Sequence, residues 1–229
     1  MAKVAIIPAR GGSKRIPRKN VRLFAGKPAI AHSIGLALGS NLFERVIVST
    51  EDEEIASIAA YYGAEVPFTR STDLSDDFST TVDVISDAAL QIELADEDLI
   101  CCIYPVTPLL RVERLTQAQK LMEAESWDYV FSATEYTTPI ERAFRKDSSG
   151  KVSFLKPDFV STRTQDIEKS FYDAGQFYFG RVWAWKKKLP ILSGNSSFIE
   201  LDKNEVIDID EVSDWELTES IFQLKVQEI

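Results

Sequence analysis

The stretch that most narrows the possible folds lies near the amino terminus. Val4-Ala5-Ile6-Ile7 is a short apolar run that stops at Pro8, and the glycine pair Gly11-Gly12 follows almost at once. A second apolar pattern starts near Pro28. Strand, loop and helix in that order open an α/β unit. Glycine has no Cβ, so the backbone at 11–12 can approach a ligand closely. Successive amides in such a turn form a cup for anions. Arg10, Lys14, Arg15, Arg18, Lys19 and Arg22 surround the cup, and Pro17 stiffens it. The stretch reads as a phosphate-binding loop, although it is neither the P-loop pattern G-x-x-x-x-G-K-[ST] nor the dinucleotide fingerprint G-x-G-x-x-G.

A solvated basic loop is the plain alternative, and the charge distribution argues against it. Residues 1–43 contain no Asp or Glu, although the chain has 36. Eight of its 26 Lys and Arg lie in that segment. A positive island in a chain of net charge −10 calls for an anionic visitor or buried acidic partners. The same acidity argues against general nucleic-acid binding. Cys101 and Cys102 are adjacent in an apolar run, point to opposite faces of a strand, and read as reduced core residues of a cytoplasmic protein. No apolar stretch approaches the ~18 residues of a membrane span. Residues 1–8 read as a strand rather than a signal peptide.

Further units follow. Pro28 opens a helix expected to end near Gly39, and Arg45–Thr50 is a second strand. Glu51-Asp52-Glu53-Glu54 suits the first turn of the next helix and needs no other role there. Residues 63–68 form a short third strand, residues 79–94 a helix, and the apolar run 98–104 a buried fourth strand. A helix over 113–124 and a strand over 129–133 come next. This alternation predicts a mostly parallel sheet with right-handed crossovers. It breaks between 135 and 173, where a turn signal at 147–150 separates two hairpin-like runs bearing Phe144 and Phe154. Such apolar area needs cover, which favours an assembly arm over a mobile surface hairpin. Glu205–Asp210 reads as the last strand, placing Asp208 and Asp210 on one face. By spacing alone the pair serves equally as a metal site or as a helix-entry turn. Ser213-Asp214-Trp215-Glu216 has capping-box spacing for a final helix. His32, the only histidine, receives no chemistry, so a catalytic triad is not expected.

Ile7-Pro8-Ala9-Arg10-Gly11-Gly12-Ser13-Lys14, followed by Ile16-Pro17-Arg18-Lys19-Asn20, resembles the signature loop of the acylneuraminate cytidylyltransferases. These enzymes activate nine-carbon acidic sugars with CTP. Arg15 stands where the sialic acid members usually carry Gly. The stretch 105–111 resembles the family's Q-P-T-S-P-L-R, with Tyr104 in place of the Gln that sits near the sugar in sialic acid members. Asp173-Ala174-Gly175-Gln176-Phe177-Tyr178 resembles the form carried by the pseudaminic acid enzymes of the family, where sialic acid members carry N-G-A-I-Y.

The resemblance covers most of the chain and implies a Rossmann-like α/β nucleotidyltransferase. Residues 1–229 would be one domain, with 135–173 an inserted dimerisation arm that reaches the partner's site in a homodimer. CTP and a nonulosonic acid would be the substrates and Mg²⁺ the cofactor. Arg10 and Lys19 would stabilise charge during the reaction. The nucleotide would lie against Ala9, Arg10, Gly11, Gly12, Ser13, Lys19 and Asn20, with Ser49 and Arg70 beside the nucleoside. Tyr104, Gln165, Gln176 and Tyr178 would face the sugar together with Arg163 from the partner chain, and Asp208 and Asp210 would hold the metal. A different nonulosonate as substrate is the neighbouring possibility, and a nucleotide-binding regulatory module without turnover is the one from another class.

Overall fold

A computed structural model describes every residue except Asp77, Ser193, Glu228 and Ile229. The chain opens with β1 (Lys3–Pro8), a two-rung hairpin of β2 (Leu23–Phe24) and β3 (Lys27–Pro28), α1 (Ala29–Gly39), β4 (Arg45–Ser49) and α2 (Glu53–Tyr61). Next come α3 (Thr81–Gln91), β5 (Leu99–Ile103), α4 (Val112–Ala124) and β6 (Tyr129–Glu135). The break in the alternation holds the antiparallel pair β7 (Phe144–Lys146) and β8 (Val152–Phe154). The chain closes with β9 (Phe171–Arg181), α5 (Val182–Lys186), β10 (Ser196–Glu200) and α6 (Val212–Gln227).

Six strands form one sheet in the order β10-β6-β9-β5-β1-β4. The pairs β1–β4, β1–β5 and β6–β10 are parallel, and β9 is antiparallel to both β5 and β6. Strand alternation builds two cores from one sheet. Ala5, Ile7, Cys101 and Ile103 face the layer of α1, α2 and α4, while Val4, Ile6, Ile100 and Cys102 face α3 and α5. The adjacent cysteines therefore point apart, both fully buried and unbridged. Gly180 on β9 is a forced glycine: a Cβ there would come within 2.4 Å of Trp185 Nε1 and 2.6 Å of the Tyr129 ring. A third, smaller cluster joins Ile16, Phe24, Ala29, Ile209 and Trp215, and so packs the basic loop against the segment leading into α6.

Four sequence expectations are corrected. Residues 63–68 contribute a single bridge, Glu65 to Ile47, rather than a strand, because Pro67 offers no donor to extend the ladder at this edge. The last strand is β10, and residues 206–210 run without a ladder partner. The alternation that suggests a strand over 205–210 arises because Ile209 is pinned in the third cluster, which needs an extended chain but no sheet. The final helix starts at Val212 without the Ser213–Glu216 box; Asp214 instead accepts the amides of Asp210 and Glu211. The acidic turn at 51–54 also does more than suit a helix dipole, as the site makes plain.

Among the described residues no helix is long and apolar enough to cross a membrane. The segment 135–173 leaves β6 and returns as β9, and it exposes Phe144, Val152, Leu155 and Val160.

Candidate active site

The sheet order contains a reversal. From β1 the chain crosses through α1 to β4 on one side, then returns through α2 and α3 to β5 on the other. The loops leaving the carboxyl ends of the neighbouring strands β1 and β5 meet where the strand order reverses, which is where open α/β sheets bind ligands. A cavity of about 400 Å³ lies there, lined by Pro8 and Arg10 after β1 and by Tyr104 to Leu109 after β5.

One wall is cationic. Arg10, Ser13, Lys14, Arg15, Lys19, Asn20 and Arg70 all line the cavity. Acids from 51–54 and backbone carbonyls hold this wall in shape. Glu51 accepts the Gly11 amide at 2.7 Å through one carboxylate oxygen and Arg70 Nη2 at 2.7 Å through the other. Burial pushes the Glu51 carboxyl up, but donation from Arg70 and Gly11 outweighs it and leaves the group below its ordinary value. Arg70 also reaches the Ala9 carbonyl at 3.0 Å and the Ser75 hydroxyl at 3.2 Å, with its side chain only 4% exposed. Arg18 pairs with Asp52 and Glu54, and Asp52 also caps α2 through the Ile55 amide at 2.9 Å. Gly11 has no room for a side chain, because a Cβ would meet Asp52 Oδ2 at 2.4 Å. The acids at 51–54 thus include acidic partners of the kind that the acid-free segment calls for. Arg10 donates to the Asp76 carbonyl at 2.8 Å, and Asn20 donates to the Arg10 carbonyl at 2.9 Å.

The opposite wall comes from β9, the β5 exit and residues 207–210. Tyr104 meets the Thr81 hydroxyl at 2.7 Å, and its backbone amide donates to the Gln176 carbonyl at 2.9 Å. Gln176 Nε2 donates to the Glu205 carbonyl at 2.5 Å. Glu205 is itself buried, with its carboxylate against Arg114 at 2.7 Å and Arg111 at 3.3 Å. Asp208 and Asp210 both line the cavity, on either side of the buried Ile209. Lys19 crosses to this wall and donates to the Ile209 carbonyl. Burial lowers the Lys19 ammonium's pKa, and the nearby Asp210 and Asp208 partly offset that. Arg15 pairs with Asp210.

Nine of the residues expected from the sequence therefore line one cavity: Arg10, Ser13, Lys19, Asn20, Arg70, Tyr104, Gln176, Asp208 and Asp210. Ala9, Gly11, Gly12 and Ser49 do not line it; Ala9 and Ser49 are buried beneath, and the Gly11 amide is already taken by Glu51. Tyr178 also lies below the surface, its hydroxyl donating to Asp173 at 2.7 Å. Arg163 and Gln165 are exposed on the 135–173 segment, away from the cavity of their own chain. Sequence reasoning missed Thr81, Asp76 and Thr107 as lining residues, and the half-buried Glu51 and the buried Glu205 as anchors of the two walls. The acid-free amino-terminal segment was a usable signal for Glu51, since its cations needed acidic partners from elsewhere. Glu205 carried no comparable signal.

Among the described residues no three His, Cys, Asp or Glu side chains gather as a metal site. Two carboxylates facing a cationic wall are compatible with magnesium, which takes one or two protein carboxylates plus phosphate oxygens. Asp208 suits that use, being exposed and without an ion pair or side-chain hydrogen bond among the described residues.

Known proteins share this architecture. The chain is 41% identical over 226 residues to the pseudaminic acid cytidylyltransferase of Campylobacter jejuni subsp. jejuni serotype O:2, covering 98% of this chain and 97% of that protein. It is 34% identical to the CMP-N,N'-diacetyllegionaminic acid synthase of Legionella pneumophila, again over 98% and 97% of the two chains. A solved CMP:2-keto-3-deoxy-manno-octonic acid synthetase in complex with CTP superposes with a TM-score of 0.72 over 100% of both chains at 18% identity, a likeness of fold. The cytidylyltransferase family model matches residues 4–171, and with these full-length relatives the chain belongs to the cytidylyltransferase family.

Proposed function

We propose that this chain is a cytidylyltransferase that converts CTP and pseudaminic acid to CMP-pseudaminic acid and pyrophosphate. One observation carries the reading: a cation-walled cavity at the sheet's switch point, in a chain that matches pseudaminic acid cytidylyltransferases over nearly its whole length. The anomeric hydroxyl oxygen of the sugar attacks the α-phosphorus. The bond from that phosphorus to the bridging oxygen breaks, pyrophosphate departs with the electron pair, and the hydroxyl proton passes to cavity water. Charge grows on phosphate oxygens, so positioning and fixed cations supply the acceleration. Arg10 and Lys19 provide those cations, with Ser13 and Asn20 beside them and Arg70 towards the nucleoside. Tyr104 and Gln176 face the sugar.

Asp208 and Asp210 would hold Mg²⁺, which when bound draws charge from the phosphate oxygens. The exposed apolar residues of 135–173 support a homodimer in which Arg163 and Gln165 serve the partner's cavity. Paired free thiols in the core support a cytoplasmic setting. The legionaminic acid synthase relative keeps a second nonulosonate in view. Pyrophosphate release from CTP, measured over a panel of nonulosonic acids with and without Mg²⁺, tests the reading. Fastest turnover with pseudaminic acid supports it, and no sugar-dependent release with any member refutes enzyme activity.

A further inference from the structure

We propose that Arg15 is an internal counter-ion that holds Asp210 until the nucleotide arrives, so that the divalent cation and CTP enter together. The inference rests on the metal reading above and adds a residue and an order to it. Two facts carry it. The Arg15 guanidinium is paired with Asp210, while Asp208 on the same wall has no ion pair among the described residues. Arg15 also lines the cavity next to Lys14 and Lys19, where a triphosphate would lie.

The physics is an exchange of partners. Two carboxylates facing one cavity repel each other, and a cation relieves them. In the nucleotide-free protein Arg15 supplies that cation from within the chain. Its side chain is 69% exposed, so the guanidinium can swing without disturbing the core. Asp210 cannot follow it. Ile209 is buried against Ile16, the Lys19 ammonium holds the Ile209 carbonyl, and Asp214 accepts the Asp210 amide at 3.1 Å. An incoming triphosphate offers the guanidinium a bidentate phosphate partner in the same cavity. Arg15 then moves to the phosphates, and the released Asp210 joins Asp208 in holding the cation. Without nucleotide, a cation must displace Arg15 and leave the guanidinium with no anion, so it binds poorly.

Mn²⁺ binding to the nucleotide-free full chain, read by electron paramagnetic resonance of the free ion, tests this without turnover. Arg15→Ala should tighten Mn²⁺ by about fivefold, the scale of one exposed ion pair. Arg15→Lys, which keeps a cation, should stay near wild type, and Asp210→Asn should cancel the gain in the Ala background. Unchanged or weaker Mn²⁺ binding in Arg15→Ala overturns the proposal, as does a gain that survives Asp210→Asn. The metal reading is tested separately by water-proton relaxation of the Mn²⁺–CTP–enzyme complex. If Asp208→Asn with Asp210→Asn leaves that signal intact, the metal assignment itself fails. If the signal is lost while Arg15→Ala is neutral, only the counter-ion role fails.

Discussion

Replacing Glu51 with Gln isolates the charge that ties the two halves of the cationic wall together. Glutamine keeps the volume and can still accept the Gly11 amide, but it turns an NH₂ group or a neutral oxygen towards Arg70. What is lost is one charge-assisted bond of 2.7 Å to a guanidinium whose side chain is 4% exposed. Hydrogen bonds to charged groups contribute about 1.5–3 kcal/mol. Removing one member of a buried pair costs about 3–5 kcal/mol, because the survivor stays desolvated. Arg70 retains the Ala9 carbonyl and the Ser75 hydroxyl, which lowers the cost. A loss of about 2–4 kcal/mol follows, which for a chain of this size is a fall of about 5–15 °C in the unfolding midpoint. KM for CTP should rise as well, since Arg70 lines the cationic wall of the cavity and the Gly11 amide shares its anchor. The effect has a pH signature. The folded Glu51 carboxyl lies below its ordinary value of 4.5, so the unfolded chain binds more protons between those two values. The contribution is complete above the unfolded value and disappears as pH falls through the folded one. Thermal melts from pH 7 downward should show wild type and Glu51→Gln converging in acid. A midpoint within 1 °C of wild type at pH 7, with unchanged KM, would show that the bridge does not hold the wall.

Arg10→Ala should lower turnover at saturating CTP by about 2–4 kcal/mol of transition-state stabilisation while the protein remains folded; near-normal turnover contradicts the role. Asp210→Asn should cut turnover and raise the Mg²⁺ requirement without lowering the metal-free melting midpoint, and wild-type rates at limiting Mg²⁺ in both Asp208→Asn and Asp210→Asn would make the carboxylates structural. Mixing inactive Arg163→Ala with inactive Arg10→Ala should restore activity through hybrid dimers, and no recovery after verified subunit exchange argues against shared sites. Gly180→Ala should destabilise by about 2 kcal/mol or more, because the new methyl collides with Trp185 and Tyr129; an unchanged melt refutes that crowding.

The parallel part of the sheet was readable because each buried strand is a short apolar run ended by Pro, Ser-Thr or a turn. Residues 3–8, 45–49 and 99–103 all show it. β10 escaped because Ser196-Ser197-Phe198-Ile199-Glu200 is an edge strand with little apolar content. The run at 205–210 misled for the opposite reason: Ile207 and Ile209 alternate with acids as in a strand, yet what they satisfy is a local cluster under the basic loop. The cationic wall was visible because its charges are adjacent in sequence. Its anchor Glu51 looked like an ordinary helix-start acid, since partners 40 residues apart leave no periodic trace. The roles proposed for Arg163 and Gln165 draw on a second chain, and both lie away from the cavity of their own.

The 135–173 segment leaves and rejoins the sheet at one point. Glu135 at the end of β6 pairs with Phe171 at the start of β9, so the two stalks are already stitched together where the excursion begins. The sheet is therefore indifferent to what is strung between them. Lengthening a loop whose ends are fixed adds only about 0.6 kcal/mol per doubling. Evolution can rewrite this excursion, in length and in the side chains it presents, without renegotiating the cavity's scaffold. The fold thus hangs a replaceable excursion on the same pair of neighbouring strands that helps to build the cavity.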